Sequence, residues 1–114
     1  MPEPLVYTQF DTSPAIEEDL EERNPDTGAW GPLNVEGKTV RLLAQKRPSG
    51  RRFGGVAVKV DVPGKSRFRY QIQPQDLAEA GDYYWEWEVT TPAGERRTIG
   101  RYELRVRAKS GAVA

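Results

Sequence analysis

The chain has 114 residues, of which 37% are hydrophobic and 30% are charged, and its formal net charge is zero. This length predicts one domain, and the apolar runs are too short to span a bilayer. The sequence contains neither His nor Cys, which excludes Ser-His-Asp and thiol nucleophiles, disulfides and the usual zinc and haem sites. Carboxylates and lysine remain as possible catalytic groups, but we expect a protein that is not an enzyme and needs no cofactor, and we expect no signal peptide at its start.

The zero net charge hides an uneven distribution along the chain. Residues 1–36 carry nine acidic residues and one basic residue, a net charge of −8, while residues 37–114 carry eight acidic and sixteen basic residues, a net charge of +8. The split predicts one of two arrangements. Oppositely charged surfaces fold against each other within one chain, or complementary surfaces meet between neighbouring protomers.

The first part of the chain has a hydrophobic pattern with a period of two, which is typical of strands. Residues 5–10 form the first predicted strand, and residues 16–20 form a short, very acidic second one in which apolar Ile and Leu share a face with Glu18. A helical turn capped by Ser13 is the alternative for this second segment, but we favour the strand. Residues 24–28, Asn-Pro-Asp-Thr-Gly, have the chemistry of a tight turn.

The middle of the chain contributes an irregular crossing at residues 30–37, a strand at residues 38–46 and a flexible basic loop at residues 47–52. In residues 56–62, four valines alternate with Ala, Lys and Asp. This alternation predicts a half-buried strand that forms a hairpin with residues 68–72.

The last third of the chain contributes one short helical turn, at residues 73–81, and two strands, at residues 83–91 and 98–107, joined by a hairpin loop. Seven or so short strands with regularly spaced turns predict an all-β fold, an immunoglobulin-like antiparallel β-sandwich. We expect a single domain over residues 1–109, with residues 1–10 available as an extended docking arm. Residues 110–114 are predicted to form a flexible tail.

The alternation also predicts which side chains form the core. We expect the inward strand positions to supply most of the buried apolar surface: Val40, Leu42, Val58, Val60, Phe68, Tyr70, Tyr83, Trp85, Trp87, Leu104 and Val106.

Residues 80–85, Ala-Gly-Asp-Tyr-Tyr-Trp, have the arrangement of a tyrosine corner. Tyr83 begins a strand after a short turn, and its hydroxyl is predicted to bond to the backbone between residues 75 and 80. Trp85 stands two residues further on, where antibody domains place a cysteine. Since the chain has no cysteine, Trp85 and Trp87 are expected to replace the disulfide as core filler.

Further motifs are spread over residues 9–107: Asp-Thr-Ser-Pro at 11–14, Gly-Lys-Thr-Val-Arg at 37–41, Asp-Leu-x-x-Ala-Gly-x-Tyr at 76–83 and Trp-Glu-Val-Thr at 87–90. With them the chain resembles the small immunoglobulin-like domain of tailed-bacteriophage virion proteins, typified by the N-terminal domain of baseplate upper-protein families. The resemblance implies a non-catalytic structural module of a tail, baseplate, neck or head surface. Because no fibre extension follows, we expect an adaptor, completion or decoration protein.

The resemblance also implies the partners and the location. We expect other virion proteins and copies of this chain as partners, and assembly into the virion in the host bacterial cytoplasm. A membrane, a nucleic acid and a small-molecule substrate are not expected. Eleven residues near the N-terminal segment, in the acidic run and in the basic loop are candidates for partner binding: Leu5, Tyr7, Phe10, Trp30, Glu17, Glu18, Glu21, Glu22, Arg47, Arg51 and Arg52.

Other functions find weaker support in the sequence. The acidic run lacks the spacing of a calcium loop, and no nucleic-acid motif accompanies the basic loop. Glu86 and Glu88 stand two apart like paired catalytic carboxylates, but on a strand we expect them to face solvent or pair with Arg. The main alternative is a carbohydrate- or protein-binding β-sandwich that uses exposed aromatic residues such as Trp30, Tyr7 and Phe53.

Overall fold

A computed structural model describes residues 4–48 and 50–109. Over these residues the chain forms ten strands: β1 (Leu5–Thr8), β2 (Ile16–Asp19), β3 (Glu21–Arg23), β4 (Trp30–Pro32), β5 (Thr39–Lys46), β6 (Arg52–Val56), β7 (Val58–Val60), β8 (Arg67–Tyr70), β9 (Gly81–Thr90) and β10 (Arg96–Arg107). No segment of this part of the chain forms a helix with the length and apolarity needed to cross a membrane.

The segment between β8 and β9 differs from the helical turn predicted at residues 73–81. It contains two hydrogen-bonded turns, in which the Asp76 N–H donates to the Gln73 carbonyl and the Ala78 N–H to the Gln75 carbonyl. The Asp76 carboxylate accepts hydrogen bonds from the Gln73 N–H at 2.8 Å and the Tyr70 hydroxyl at 2.5 Å. These side-chain bonds fix a turn where the local sequence indicated a helix.

The strands form two packed sheets and a separate two-stranded ribbon. The larger sheet has the order β1-β10-β9-β5-β6, the smaller sheet has the order β2-β8-β7, and β3 pairs with β4 to form the ribbon. Strands β10-β9-β5-β6 and β2-β8-β7 follow the orders G-F-C-C′ and B-E-D of immunoglobulin domains. The fold is therefore an all-β, immunoglobulin-like β-sandwich, as the sequence predicted.

The first strand belongs to the larger sheet. β1 pairs with β10 in parallel, unlike the other ladders, and it places Leu5 opposite Leu104 and Tyr7 opposite Val106. Tyr7 is buried and its hydroxyl donates to the Pro14 carbonyl at 2.8 Å. Residues 5–8 of the expected docking arm are thus paired within the chain's own sheet. Residues 1–3 and the expected tail at 110–114 lie outside the described residues.

One stretch of chain contributes to both sheets. β6 is an edge strand of the larger sheet, β7 is an edge strand of the smaller one, and only Ala57 separates them. Ala57 is buried, and its N–H donates to the Val40 carbonyl at 2.8 Å. The small side chain therefore occupies the corner at which the chain leaves one layer for the other.

The predicted core is confirmed except at β7. Val58 and Val60 lie opposite Arg69 and Arg67 on the outer face, and Val58 is 67% exposed. The prediction that Val58 and Val60 are buried is wrong, because an alternating pattern indicates which residues share a face but not which face points inward. The other predicted core residues are buried: Val40, Leu42, Phe68, Tyr70, Tyr83, Trp85, Trp87, Leu104 and Val106.

Tyr83 forms the predicted tyrosine corner. Its hydroxyl donates to the Glu79 carbonyl at 2.7 Å, and its buried ring packs edge-on against Phe53 with 5.7 Å between the ring centroids. Tyr84, the next residue, is only partly buried and lies on the other face of β9. The predicted register of this central strand is therefore confirmed.

Candidate binding groove

Two adjoining depressions follow the side of the sandwich on which β2 of the smaller sheet approaches β10 of the larger one. The first has a volume of about 350 Å³ and is lined by β1, residues 14–18 and the rings of Trp85 and Tyr102. The second has a volume of about 420 Å³ and is lined by residues 18–21, Trp30, Ile99 and Tyr102. Because both are lined by Glu18 and Tyr102, we treat them as one site and call it the seam groove.

Glu18 connects the two sheets at the centre of the seam groove. Its Oε2 accepts a hydrogen bond from Trp87 Nε1 at 2.7 Å, and its Oε1 accepts one from the Tyr102 hydroxyl at 2.6 Å. Glu18 belongs to β2, whereas both donors belong to the larger sheet. Hydrogen bonds to an ionised acceptor are the stronger kind. Burial of Tyr102, together with its hydrogen bond to Glu18, raises the pKa of Tyr102 to about 12.

The position of Glu18 follows from the alternation of β2. Ile16 and Leu20, two residues before and after it, are 2% and 1% exposed. Because side chains two apart on a strand share a face, the side chain of Glu18 also points toward the core. The hydrophobic pattern predicted that these three residues share a face, but Glu18 was expected to bind a partner rather than to link the two sheets. The apolar residues on either side were the signal that could have identified its inward role.

An aromatic cluster forms the wall of the groove on the larger sheet. The ring centroids of Trp85 and Tyr102 are 4.7 Å apart, and those of Trp85 and Trp87 are 5.6 Å apart at nearly a right angle. Trp85 Nε1 is buried and has no hydrogen-bond partner within the described part of the chain. The wall thus combines apolar ring surface with the polar atoms of Glu18 and Tyr102.

A backbone irregularity in β10 determines where the Tyr102 ring lies. The register between β10 and β9 shifts between Ile99 and Tyr102, and Gly100 in this bulge has a φ of 69°. A Cβ at Gly100 would lie 2.5 Å from the Tyr102 ring. Only glycine allows both this backbone conformation and the close approach of the ring, which the bulge directs toward Glu18.

The seam groove brings together six of the eleven candidate residues: Leu5, Tyr7, Glu17, Glu18, Glu21 and Trp30. Trp30 is 67% exposed, in agreement with an aromatic residue available for binding. The interpretation of Tyr7 and Phe53 as exposed aromatic residues is wrong, since both are buried. Tyr7 faces the core as part of β1, and Phe53 packs against the tyrosine corner.

The acidic strand β2 is paired with the basic strand β8. Glu17 contacts Arg69 at 2.8 Å, and Asp19 contacts Arg67 at 2.7 Å and Lys65 at 3.4 Å. The hydrogen bond from Arg67 holds the pKa of Asp19 below its usual range. Part of the acidic first third of the chain therefore lies against its basic remainder within one molecule. The meeting of such surfaces between protomers stays a prediction.

The remaining acidic candidates lie at the start of the ribbon. Glu22 Oε2 accepts a hydrogen bond from the Asn34 N–H at 2.7 Å, so Glu22 connects β3 to the chain that follows β4. Glu21 is exposed beside Trp30. In residues 4–48 and 50–109, no group of three or more acidic side chains is arranged to hold a metal ion.

Arg51 has a structural role that the sequence analysis missed. Its guanidinium donates to the Asp76 carbonyl at 3.1 Å and also to the Gln75 carbonyl. These bonds attach the start of β6 to the turn before β9. Arg51 is therefore held against this turn, and its role in partner binding stays a prediction.

Arg47, Arg52 and Phe10 line neither depression of the seam groove. The Arg47 guanidinium lies 5.8 Å from the centre of the Tyr84 ring, and Arg52 is exposed at the edge of the larger sheet. Phe10 is 51% exposed, and its N–H donates to the Leu77 carbonyl at 3.0 Å. The structure therefore does not bring the basic candidates together with the acidic ones.

Comparison with protein-family models gives no match, and comparison with curated proteins gives none either. Among solved structures, the chain is similar to murine CRIg with 15% sequence identity and a TM-score of 0.37. The similarity covers 96% of this chain and 94% of the CRIg chain.

Proposed function

We propose that this chain is a non-catalytic structural component of a tailed-bacteriophage virion, a small assembly module that binds a neighbouring virion protein in the seam groove. The sequence motifs over residues 9–107 support the virion assignment by their resemblance to immunoglobulin-like domains of such particles. The observation that carries the binding role is Trp30, which is 67% exposed at one end of the groove. Tryptophan is among the residues enriched at the centres of protein interfaces.

The chemistry of the groove favours an extended segment of the partner. The side chains of Leu5, Ile99 and Tyr102 supply apolar surface along its length, while Glu17 and Glu21 supply carboxylates. A segment with an apolar side chain and a basic residue would contact both kinds of surface. Such a partner would also gain from a groove that is already formed, because little ordering of the binding surface is then required.

The proposal is tested on virions of the phage that encodes the chain. An antibody raised against the recombinant protein should detect the chain in density-purified particles, at a fixed ratio to the major structural proteins. In complementation of a deletion, Trp30→Ala should reduce incorporation at least several-fold, whereas Val6→Ala should not. Val6 is the matched control because it is 51% exposed but lies on β1 outside the groove lining. Recovery of the chain only in the particle-free fraction would contradict the proposal.

A carbohydrate-binding role is the second candidate, and the combination of Trp30 and Tyr102 rings with the Glu17, Glu18 and Glu21 carboxylates favours it. Aromatic surface with a few placed polar groups is typical of small-ligand sites. A glycan array separates the two functions. If the chain binds sugars, a glycan signal should appear that Trp30→Ala abolishes and Val6→Ala retains. If it is an assembly module, it should be incorporated into particles and give no glycan signal.

A further inference from the structure

Strand β7 leaves one of its edges unpaired. In the sheet order β2-β8-β7 it pairs with β8 on one side, and no strand of the described chain lies along its other side. An edge strand presents alternate N–H and C=O groups that another strand can bind. Val58 on the outer face of this edge is 67% exposed, and Val56 just before the sheet crossing is 60% exposed. Backbone donors and acceptors therefore lie beside exposed apolar surface.

The sequence at this edge is complementary to itself. Residues 58–62 read Val-Lys-Val-Asp-Val, with valines at alternate positions and opposite charges on either side of the central valine. When two copies are aligned antiparallel about Val60, Lys59 of each copy lies opposite Asp61 of the other. Val58 of each copy lies opposite Val62 of the other, and the two Val60 residues face each other.

We propose that two copies of the chain associate through β7 in this antiparallel register, which joins their smaller sheets into one six-stranded sheet. The arrangement is two-fold symmetric, as closed dimers usually are, and the same residues serve both copies. Cross-strand valine pairs and opposite-charge pairs both stabilise antiparallel ladders. The valines of the two copies share one face of the joined sheet, and the Lys59 and Asp61 pairs share the other.

The charges also select this register over its neighbours. A slip by two residues keeps the valines on the same face, but in one direction it places Lys59 opposite Lys59 of the other copy. In the other direction it places Asp61 opposite Asp61. Directly opposed like charges are destabilising in a ladder. The segment at residues 58–62 is thus complementary to a second copy of itself in one register and disfavours both slipped registers. For this reason we identify the strand that binds the free edge of β7 as a second copy of the chain.

The self-association does not depend on the virion assignment or on the seam groove, so either proposal can fail without the other. The contact is short, and we expect it to be weak and concentration-dependent. Sedimentation velocity of the full chain over a wide concentration range should therefore show a reversible monomer–dimer equilibrium. A chain that stays monomeric at every concentration would overturn the proposal.

Charge exchange provides the sharper experiment, because Lys59 and Asp61 are exposed and their substitution leaves the core intact. Lys59→Asp and Asp61→Lys should each weaken dimerisation at least tenfold, since each opposes like charges. An equimolar mixture of the two variants should associate again, and the double variant should dimerise like the original chain. Arg96→Asp, an exposed charge change on β10, is the matched control and should have no effect. Single variants that dimerise as well as the original chain would refute the β7 contact, and circular dichroism of each variant verifies folding.

Discussion

Glu18 shares a face with the buried Ile16 and Leu20, and its carboxylate accepts a hydrogen bond from Trp87, the largest fully buried side chain in the core. An inward-facing position of the strand is therefore occupied by a carboxylate. It accepts hydrogen bonds from Trp87 and Tyr102 of the opposite sheet. If the acceptor is removed, the buried donor is left without a hydrogen bond, and the free-energy cost of its desolvation is no longer offset. The stability of the sandwich and the shape of the seam groove thus depend on the same side chain.

Glu18→Gln should lower the free energy of unfolding, although it barely changes the size of the side chain. A glutamine can accept from Trp87 Nε1 through its one oxygen and donate from its NH₂ group to the Tyr102 hydroxyl oxygen, but the O–H of Tyr102 then loses its acceptor. We expect a loss of about 1–3 kcal/mol, because a hydrogen bond to a charged group is lost and the other becomes a neutral one. Urea unfolding measures it.

Glu17→Gln is the matched control for that substitution. Glu17 precedes Glu18 on β2 and forms an exposed ion pair with Arg69. Exposed pairs usually contribute less than about 1 kcal/mol. If both variants lost the same free energy of unfolding, the hydrogen bonds of Glu18 between the sheets would contribute no more to stability than an exposed ion pair.

Tyr83→Phe should remove the hydrogen bond to the Glu79 carbonyl and leave the packing of the ring against Phe53 in place. We expect a loss of about 1 kcal/mol in the free energy of unfolding, which is typical for one intramolecular hydrogen bond. Denaturant unfolding with an unchanged m-value measures this loss. A variant as stable as the original chain would mean that the tyrosine corner contributes nothing to stability.

Trp85→Ala should destabilise the domain by about 3–5 kcal/mol, because it opens a cavity beside Trp87 and Tyr102. A loss of this size is a large part of the total stability of a small domain. Trp30→Ala is the internal comparison, since Trp30 is 67% exposed and its removal should leave the melting temperature nearly unchanged. Similar melting temperatures for the two variants would contradict the assigned core.

The pKa of Tyr102 predicts how stability changes in alkali. Burial, followed by the hydrogen bond to Glu18, raises the pKa of Tyr102 from its ordinary value of 10.0 to about 12. Because the folded state favours the neutral phenol, this contribution is fully present below pH 10 and is lost as the pH rises toward about 12. Tyr102→Phe should flatten this part of the stability profile. The phenolate absorbance of the original chain should contain one more late-titrating tyrosine than that of the variant.

The central strand β9 was predictable from sequence because local and long-range signals agree there. The alternation of aromatic and acidic residues gives a period of two, and the turn chemistry before Tyr83 fixes where the strand begins. Tyr83, Trp85 and Trp87 consequently lie on the buried face, as predicted. A strand that is paired on both sides and packed on one face has little freedom to adopt another register.

The errors arose where the decisive contact is distant in sequence. The valines of residues 56–62 share one face, as predicted, but Val56 before the crossing at Ala57 and Val58 after it are 60% and 67% exposed, so that face is the outer one. Arg51 looks like a loop residue, and its acceptors lie some 25 residues away in another turn. Periodicity reports which residues share a face, whereas the identity of the inward face depends on the other layer.

The crossing at Ala57 gives the two sides of the sandwich different mechanical properties. On one side a single residue, Ala57, joins β6 of the larger sheet to β7 of the smaller one. On the opposite side the chain passes from β1 to β2 through residues 9–15, and the Glu18 carboxylate links the layers by hydrogen bonds. We therefore expect local opening to begin along the seam groove, so that the amides of β2 exchange with solvent before those of β9. The domain thus has a preferred direction of opening, which any molecule bound in the groove would oppose.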